Sequence, residues 1–142
     1  MADDTPQKPS VEPGAFQKLL GYDITDWGPG FAVIELDLED HHCNRHGNPH
    51  GGVLMTLLDA ACTRAGTVDP ETNEIGRAAT VNVTTNFIAV AQGGKLRVEG
   101  RRTGGGRRLF FAEAHAYDGD GRLVASAVGT CRISSGKAQK EA

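Results

Sequence analysis

No apolar run in this sequence approaches the ~20 residues needed to cross a bilayer, so a membrane is not an expected partner. There is no basic excess either. Fifteen Lys and Arg stand against 18 Asp and Glu, for a net charge of −3. No segment is strongly basic, which argues against nucleic acid as a partner. Aromatic residues are scarce at 6%, and hydrophobic residues reach only 39% of the 142. A chain this lean is expected to finish burying its apolar surface against copies of itself. Cysteine is scarce too. Cys43, Cys62 and Cys131 cannot all pair within the chain. The acidic, polar start MADDTPQKPS lacks the charged-then-apolar layout of a signal peptide. Reduced thiols and a cytoplasmic location are the expectation.

Glycine is abundant instead, at 19 residues, about twice the usual share. With 6 prolines and no three-residue glycine period, collagen and Pro/Gly low complexity are excluded. The glycines imply many turns, or backbone that something must approach closely.

Residues 1–13 hold Pro6, Pro9 and Pro13 and little that is apolar. They predict a disordered tail, followed by one domain over 14–142 whose last residues, from about Ser134, are frayed. Ala15–Leu20 predicts a short helix stopped by Gly21. Tyr22–Trp27 predicts a strand and Gly28-Pro29-Gly30 a turn. From Phe31 to Leu38, Ala32, Ile34, Leu36 and Leu38 alternate with Glu35 and Asp37, the pattern of a half-buried strand. Val53, Leu54, Leu57, Leu58, Ala61, Cys62 and Ala65 recur at helical spacing, and Gly66 is the expected stop. Four strands are predicted next, at 79–90, 95–102, 107–118 and 123–133. Gly93-Gly94, Gly104-Gly105-Gly106 and Asp118-Gly119-Asp120-Gly121 separate them, each a hairpin signal. Consecutive hairpins predict an antiparallel sheet that buries the apolar face of one long helix, an α+β fold.

Special residues crowd into 41–52, which holds four of the five histidines and runs into the long helix. Gly51-Gly52 at a helix start is open to two readings. It permits a tight turn, or it leaves bare amides at the positive end of the helix dipole, where a carbonyl oxygen gaining charge could bind. His42, His46 and His50 are spaced four apart, but Gly47 and Pro49 interrupt any helix through them. No paired cysteine completes a zinc pattern, so no metal is expected. Asp59 sits about 145° from the centre of the apolar stripe, beside Gly52, Thr56 and Thr63. It is either a solvated helix acid or, if that face is also covered, a nucleophile or general base. Thr80, Asn82, Thr84 and Asn86 are expected on one strand face, wet or lining a site. Arg101, Arg102, Arg107 and Arg108 flank the triple glycine, as charge protecting a sheet edge or as a clamp for phosphates.

Asn44-x-x-Gly47-x-x-His50-Gly51-Gly52, then six residues, then Asp59 within Leu57-Leu58-Asp59-Ala60-Ala61, resembles the signature of hotdog-fold acyl-CoA thioesterases. The nearest group is the PaaI-like phenylacetate-pathway thioesterases. The motif covers residues 44–59, and the element order extends the likeness over roughly 14–134. The resemblance implies a long helix wrapped by a curved antiparallel sheet. It implies a homodimer with two sites at its interface, commonly doubled to a tetramer. It implies hydrolysis of acyl-CoA or aryl-CoA thioesters with no separate cofactor, coenzyme A arriving as part of the substrate. By the same likeness the Gly51 amide polarises the thioester carbonyl, and Asn44 and His50 line that end. Asp59 of the other copy acts as nucleophile or base, and Thr80 supplies a hydroxyl. Gly52, Thr63 and Asn82 become candidate substrate contacts, and Arg107 and Arg108 candidate contacts for the nucleotide phosphates. A non-catalytic acyl-CoA-binding protein of the same fold is the alternative, although a binder has no need of Asp59.

Overall fold

The computed structural model describes residues 11–134. The predicted tail therefore lies mostly outside the described residues, as does everything after Ser134. Val11–Gly14 have no regular structure. Helix α1 (Ala15–Leu20) ends at Gly21 in the left-handed region. Strands β1 (Asp23–Gly28) and β2 (Phe31–Asp37) form a hairpin. A single 3-10 turn (Asp40–His42) and a tight loop lead into helix α2 (Gly51–Ala65). Strands β3 (Arg77–Phe87), β4 (Lys95–Gly105), β5 (Leu109–Asp118) and β6 (Leu123–Ser134) complete the chain.

All six strands form one antiparallel sheet in the order β1-β2-β4-β5-β6-β3. Helix α2 lies across one face of it. The helical period predicted this contact residue by residue: Val53, Leu54, Leu57, Leu58, Ala61, Cys62 and Ala65 are the buried residues of α2. They meet Ile34 of β2, Val98 of β4, Phe110 of β5 and Val124 of β6 in one core. Each such large side chain contributes about 1.5–3 kcal/mol by leaving water. Gly100 lets β4 approach closely, since a Cβ there would collide with the Ala61 backbone. Gly66 ends α2 as expected, but not through a left-handed turn. Its φ is −104°, and a Cβ at that position would run into the Phe110 ring.

The hairpin expected at Gly93-Gly94 does not form. Strand β3 pairs with β6, and residues 88–94 carry the chain across to place β4 beside β2. The crossing segment threads past the β5–β6 turn. Asp118 accepts the Gln92 amide on one carboxylate oxygen and the Asp120 and Arg122 amides on the other. These amides, that of Arg122 first, hold its carboxyl below the usual range. Gly93 is needed here for backbone contact, because its Cβ would lie 2.9 Å from Gly119 Cα. A glycine pair marks close approach as readily as it marks a turn. Gly104 and Gly105, read as turn residues, belong to β4. The other two hairpins form as predicted.

Strand β3 carries a second departure. The register shifts between Thr80 and Asn82, with Val81 as the extra residue. A bulge of this kind reverses the alternation. Thr80 opposes buried Cys131 on the helix side, whereas Asn82, Thr84 and Asn86 oppose Thr130, Val128 and Ser126 on the other face. The four polar residues therefore do not share one face.

Candidate active site

The loop before α2 is tied from several directions. The Asn44 amide donates to the Asn48 carbonyl at 2.8 Å, and the Gly47 amide to the Asn44 carbonyl at 2.9 Å. Gly47 adopts φ 80° to allow this. The Asn44 side-chain oxygen accepts the His46 amide at 2.9 Å and the Asn48 amide at 3.3 Å. Below the loop lies His42, 1% exposed. Its Nδ1 accepts the Glu39 amide at 2.9 Å, so Nε2 carries the proton and donates to the Leu20 carbonyl at 2.6 Å. The His42 carbonyl in turn accepts the His50 amide at 2.8 Å. His42 thus fixes the entry to α2, a role that nothing in the sequence separates from those of its neighbours.

His50 is the N-cap of α2, and its Nδ1 accepts the Gly52 amide at 2.8 Å. Gly52 has no Cβ because one would press on that ring at 3.0 Å. Its amide is spent on the cap, so Gly52 is not a free donor. Gly51 differs. Its N–H has no acceptor among the described residues, and it stands at the positive end of a 15-residue helix. The Phe87 ring lies over it, 3.3 Å from where a Cβ would stand.

Asp59 lies two turns further along α2, half-buried. Thr80 Oγ1 donates to Asp59 Oδ1 at 2.6 Å. Thr63, one turn after Asp59, lies with its hydroxyl 3.3 Å from Thr80 Oγ1 and 3.8 Å from Cys131 Sγ. With the Thr80 proton committed to the carboxylate, Thr63 is the donor to Thr80. The structure therefore joins Asp59, Thr63 and Thr80. It leaves Asn82 on the opposite face, with its side-chain oxygen accepting from Thr84. Burial pushes the Cys62 thiol up to about 12, with Cys131 and Asp59 adding to the effect. Burial also raises Cys131. Both stay protonated near neutral pH and are poor nucleophiles.

Asp59 opens into a groove of about 450 Å3. Tyr22 and Arg64 line it too, and neither stands out in the sequence. Tyr22 has its phenol pKa raised by burial and then by Asp59, so it remains a donor. Arg64 has its guanidinium pKa lowered by burial yet stays charged, and its Nη1 is buried without a hydrogen-bond partner. Tyr22 carries no motif, and Arg64 reads in sequence as a basic residue in the last turn of a helix.

Arg107 and Arg108 line a separate cleft of about 740 Å3, where β5–β6 pairing adds Arg132. Arg102 is otherwise engaged. It donates to the Gly106 carbonyl at 3.2 Å and lies over the Phe110 ring at 5.4 Å. Among the described residues no three His, Cys, Asp or Glu side chains gather as metal ligands. No helix among them is long and apolar enough to cross a membrane.

The two halves of this arrangement are far apart within one chain. Eight residues of α2 separate Gly51 from Asp59, about 12 Å along the axis at ~1.5 Å per residue. A free helix-terminal amide and a hydroxyl-held carboxylate are the parts of an acyl-transfer site, but one copy does not place them on the same small group.

The sequence pattern of the thioesterase superfamily matches residues 46–125, more than half the chain. That span includes His50, Gly51, Asp59, Thr63 and Thr80 but not Asn44. A candidate esterase of Pseudomonas aeruginosa is 38% identical over 102 residues, 71% of this chain and 74% of that protein. The acyl-coenzyme A thioesterase PaaI of Escherichia coli is 32% identical over 101 residues, 66% of this chain and 68% of that protein. Among solved structures, a conserved protein of Pseudomonas aeruginosa superposes with a TM-score of 0.77 at 30% identity, over 86% of this chain and 95% of that one. The six-stranded antiparallel sheet around one long helix is the hotdog fold of these proteins. The chain belongs to the thioesterase superfamily, whose reaction is thioester hydrolysis.

Proposed function

We propose that the protein hydrolyses acyl-CoA or aryl-CoA thioesters at sites built from two copies of the chain. One observation carries this reading: a free Gly51 amide and an anchored Asp59 carboxylate stand on one helix about 12 Å apart. One copy supplies the amide, held by the loop that Asn44 ties and His50 caps. The other supplies Asp59, with Thr80 and Thr63 behind it. The thioester carbonyl oxygen accepts from Gly51 as it gains charge, a contact worth ~3–4 kcal/mol for one well-placed donor. Asp59 then either attacks the carbonyl carbon, expelling coenzyme A thiolate and leaving a mixed anhydride that water cleaves to restore the carboxylate, or takes a proton from the water that attacks the carbonyl and passes it to the departing thiolate. Both routes end in free acid and coenzyme A, and neither calls for a cofactor. The likeness to PaaI supports a coenzyme A thioester as substrate. Arg107, Arg108 and Arg132 are the contacts for its phosphates.

Strand β3 is the joining edge in this reading. It ends the sheet, and it presents 11 residues whose only charge is Arg77. Val81 and Phe87, with Ile88 and Val90 just beyond the strand, are each at least half exposed. A long edge with one charge and exposed apolar side chains among its polar ones is a template for pairing with another chain. Pairing of two β3 edges makes the dimer. The opposite sheet face, with Phe31, Phe111 and Val128 exposed, offers a surface for doubling to a tetramer.

A thiol-release assay over a panel of acyl-CoA and aryl-CoA substrates tests the proposal. Asp59→Asn should lose on the order of 10²–10⁴-fold in kcat with its thermal melt unchanged. Full activity in that variant removes Asp59 from the mechanism. No hydrolysis of any panel member by the unaltered protein returns it to an acyl-CoA binder.

A further inference from the structure

Resting on the thioesterase reading above, we propose that the groove beside Asp59 selects an acyl group ending in a carboxylate, with Arg64 as the specificity-determining residue. Arg64 stands five residues after Asp59, about 7.5 Å along α2, and lines the same groove. Its Nη1 is buried and unpartnered, and it has no salt bridge to an acid among the described residues. A buried charged donor left unmade is costly. No described residue supplies it an acceptor, and the one acid that lines the groove, Asp59, is held by Thr80.

The rest of the groove fits the same ligand. Its charged lining is Arg64 and Arg77 against Asp59, so it carries one surplus positive charge. Tyr22, with its hydroxyl kept protonated, adds a second donor beside Arg64. Ile24, Ala60, Ile75 and Ala78 supply apolar wall for the methylenes or ring between thioester and acid. The planar guanidinium fork matches a carboxylate with two parallel bonds. An uncharged acyl chain of the same length would desolvate Arg64 and give it nothing, which is how a site built to hydrogen-bond rejects the analogue lacking the partner.

The test compares adipoyl-CoA with hexanoyl-CoA, equal in chain length and differing in the terminal carboxylate. The unaltered protein should favour adipoyl-CoA in kcat/KM, on the order of 10- to 100-fold and mainly through KM. Arg64→Met keeps the apolar stem and should abolish that preference by weakening adipoyl-CoA alone. Arg64→Lys should restore part of it. Equal losses on both substrates in Arg64→Met would make Arg64 merely structural and overturn the proposal, as would a preference for hexanoyl-CoA. Calorimetric binding of both thioesters to Asp59→Asn and to Asp59→Asn/Arg64→Met separates this claim from the catalytic one. A binding preference that needs Arg64 supports the subsite even if turnover is absent. Equal affinities overturn the subsite even if hydrolysis proceeds.

Discussion

The stretch of α2 from Gly51 to Asp59 has two ends that are built in opposite ways. At the Gly51 end most backbone amides are engaged. Asn44 closes the loop, His42 anchors it, and His50 caps Gly52. In the first turn of the helix the Gly51 amide is left over. At the Asp59 end the carboxylate is held by a single short hydroxyl contact, and beside it Arg64 has a buried donor with no partner. The first end holds a fixed dipole in place. The second sets a carboxylate and a guanidinium along one groove, the groups to which we assign reaction and recognition. Preorganised donors belong on rigid backbone, whereas a nucleophile or base must remain accessible. The division of labour along α2 follows from those two demands.

Gly51→Pro breaks the first end most sharply. Proline is tolerated at the first helical position, so the helix should persist while the one free amide is lost. A fall of on the order of 10²–10³-fold in kcat is expected, as for loss of an oxyanion donor, with helical content by circular dichroism unchanged. Thr80→Val removes the contact to Asp59 at the other end. At least about tenfold in kcat should go, the lower end of the ~1.5–3 kcal/mol of one hydrogen bond to a charged group, and single-turnover kinetics would place the loss in chemistry rather than binding. His42→Leu should act on stability rather than on chemistry. It leaves the Glu39 amide and Leu20 carbonyl unsatisfied, and denaturant melts should show a loss of about 1–3 kcal/mol. His50→Ala, which deletes the cap, should cost about 1 kcal/mol in the same melts. Arg107→Glu with Arg108→Glu lies outside both ends. It should raise KM several-fold at low salt, an effect that fades as salt screens it, with kcat little changed.

Much of this is legible in the sequence alone. The helical stripe from Val53 to Ala65 matched the buried set of α2, because a 3.6-residue period has one geometric meaning. The Asn44-to-Asp59 motif located the start of α2 and the carboxylate two turns into it. What stayed hidden was non-local. The bulge at Val81 moved Asn82 off the Thr80 face, and no residue type announces a bulge in a Thr/Asn/Val run. Gly93-Gly94 reads as a hairpin until Gly119 is seen against it. Arg64 and Tyr22 are 42 positions apart in sequence, so their meeting in one groove depends on how β1 and α2 pack. The spacing of Gly51 and Asp59 was always visible, but only helix geometry turns eight residues into a distance no single chain closes.

That distance makes the shared site the central claim, and mixing two inactive chains tests it most directly. Gly51→Pro and Asp59→Asn are each purified, then co-refolded at equal concentration and assayed for thiol release. If each site takes its amide from one copy and its carboxylate from the other, half the dimers are mixed and each mixed dimer holds one intact site. Activity should then return to about a quarter of that of the unaltered protein. If the mixture stays as inactive as its components while mixed dimers are shown to form, Gly51 and Asp59 do not act across copies, and the account of the site is wrong.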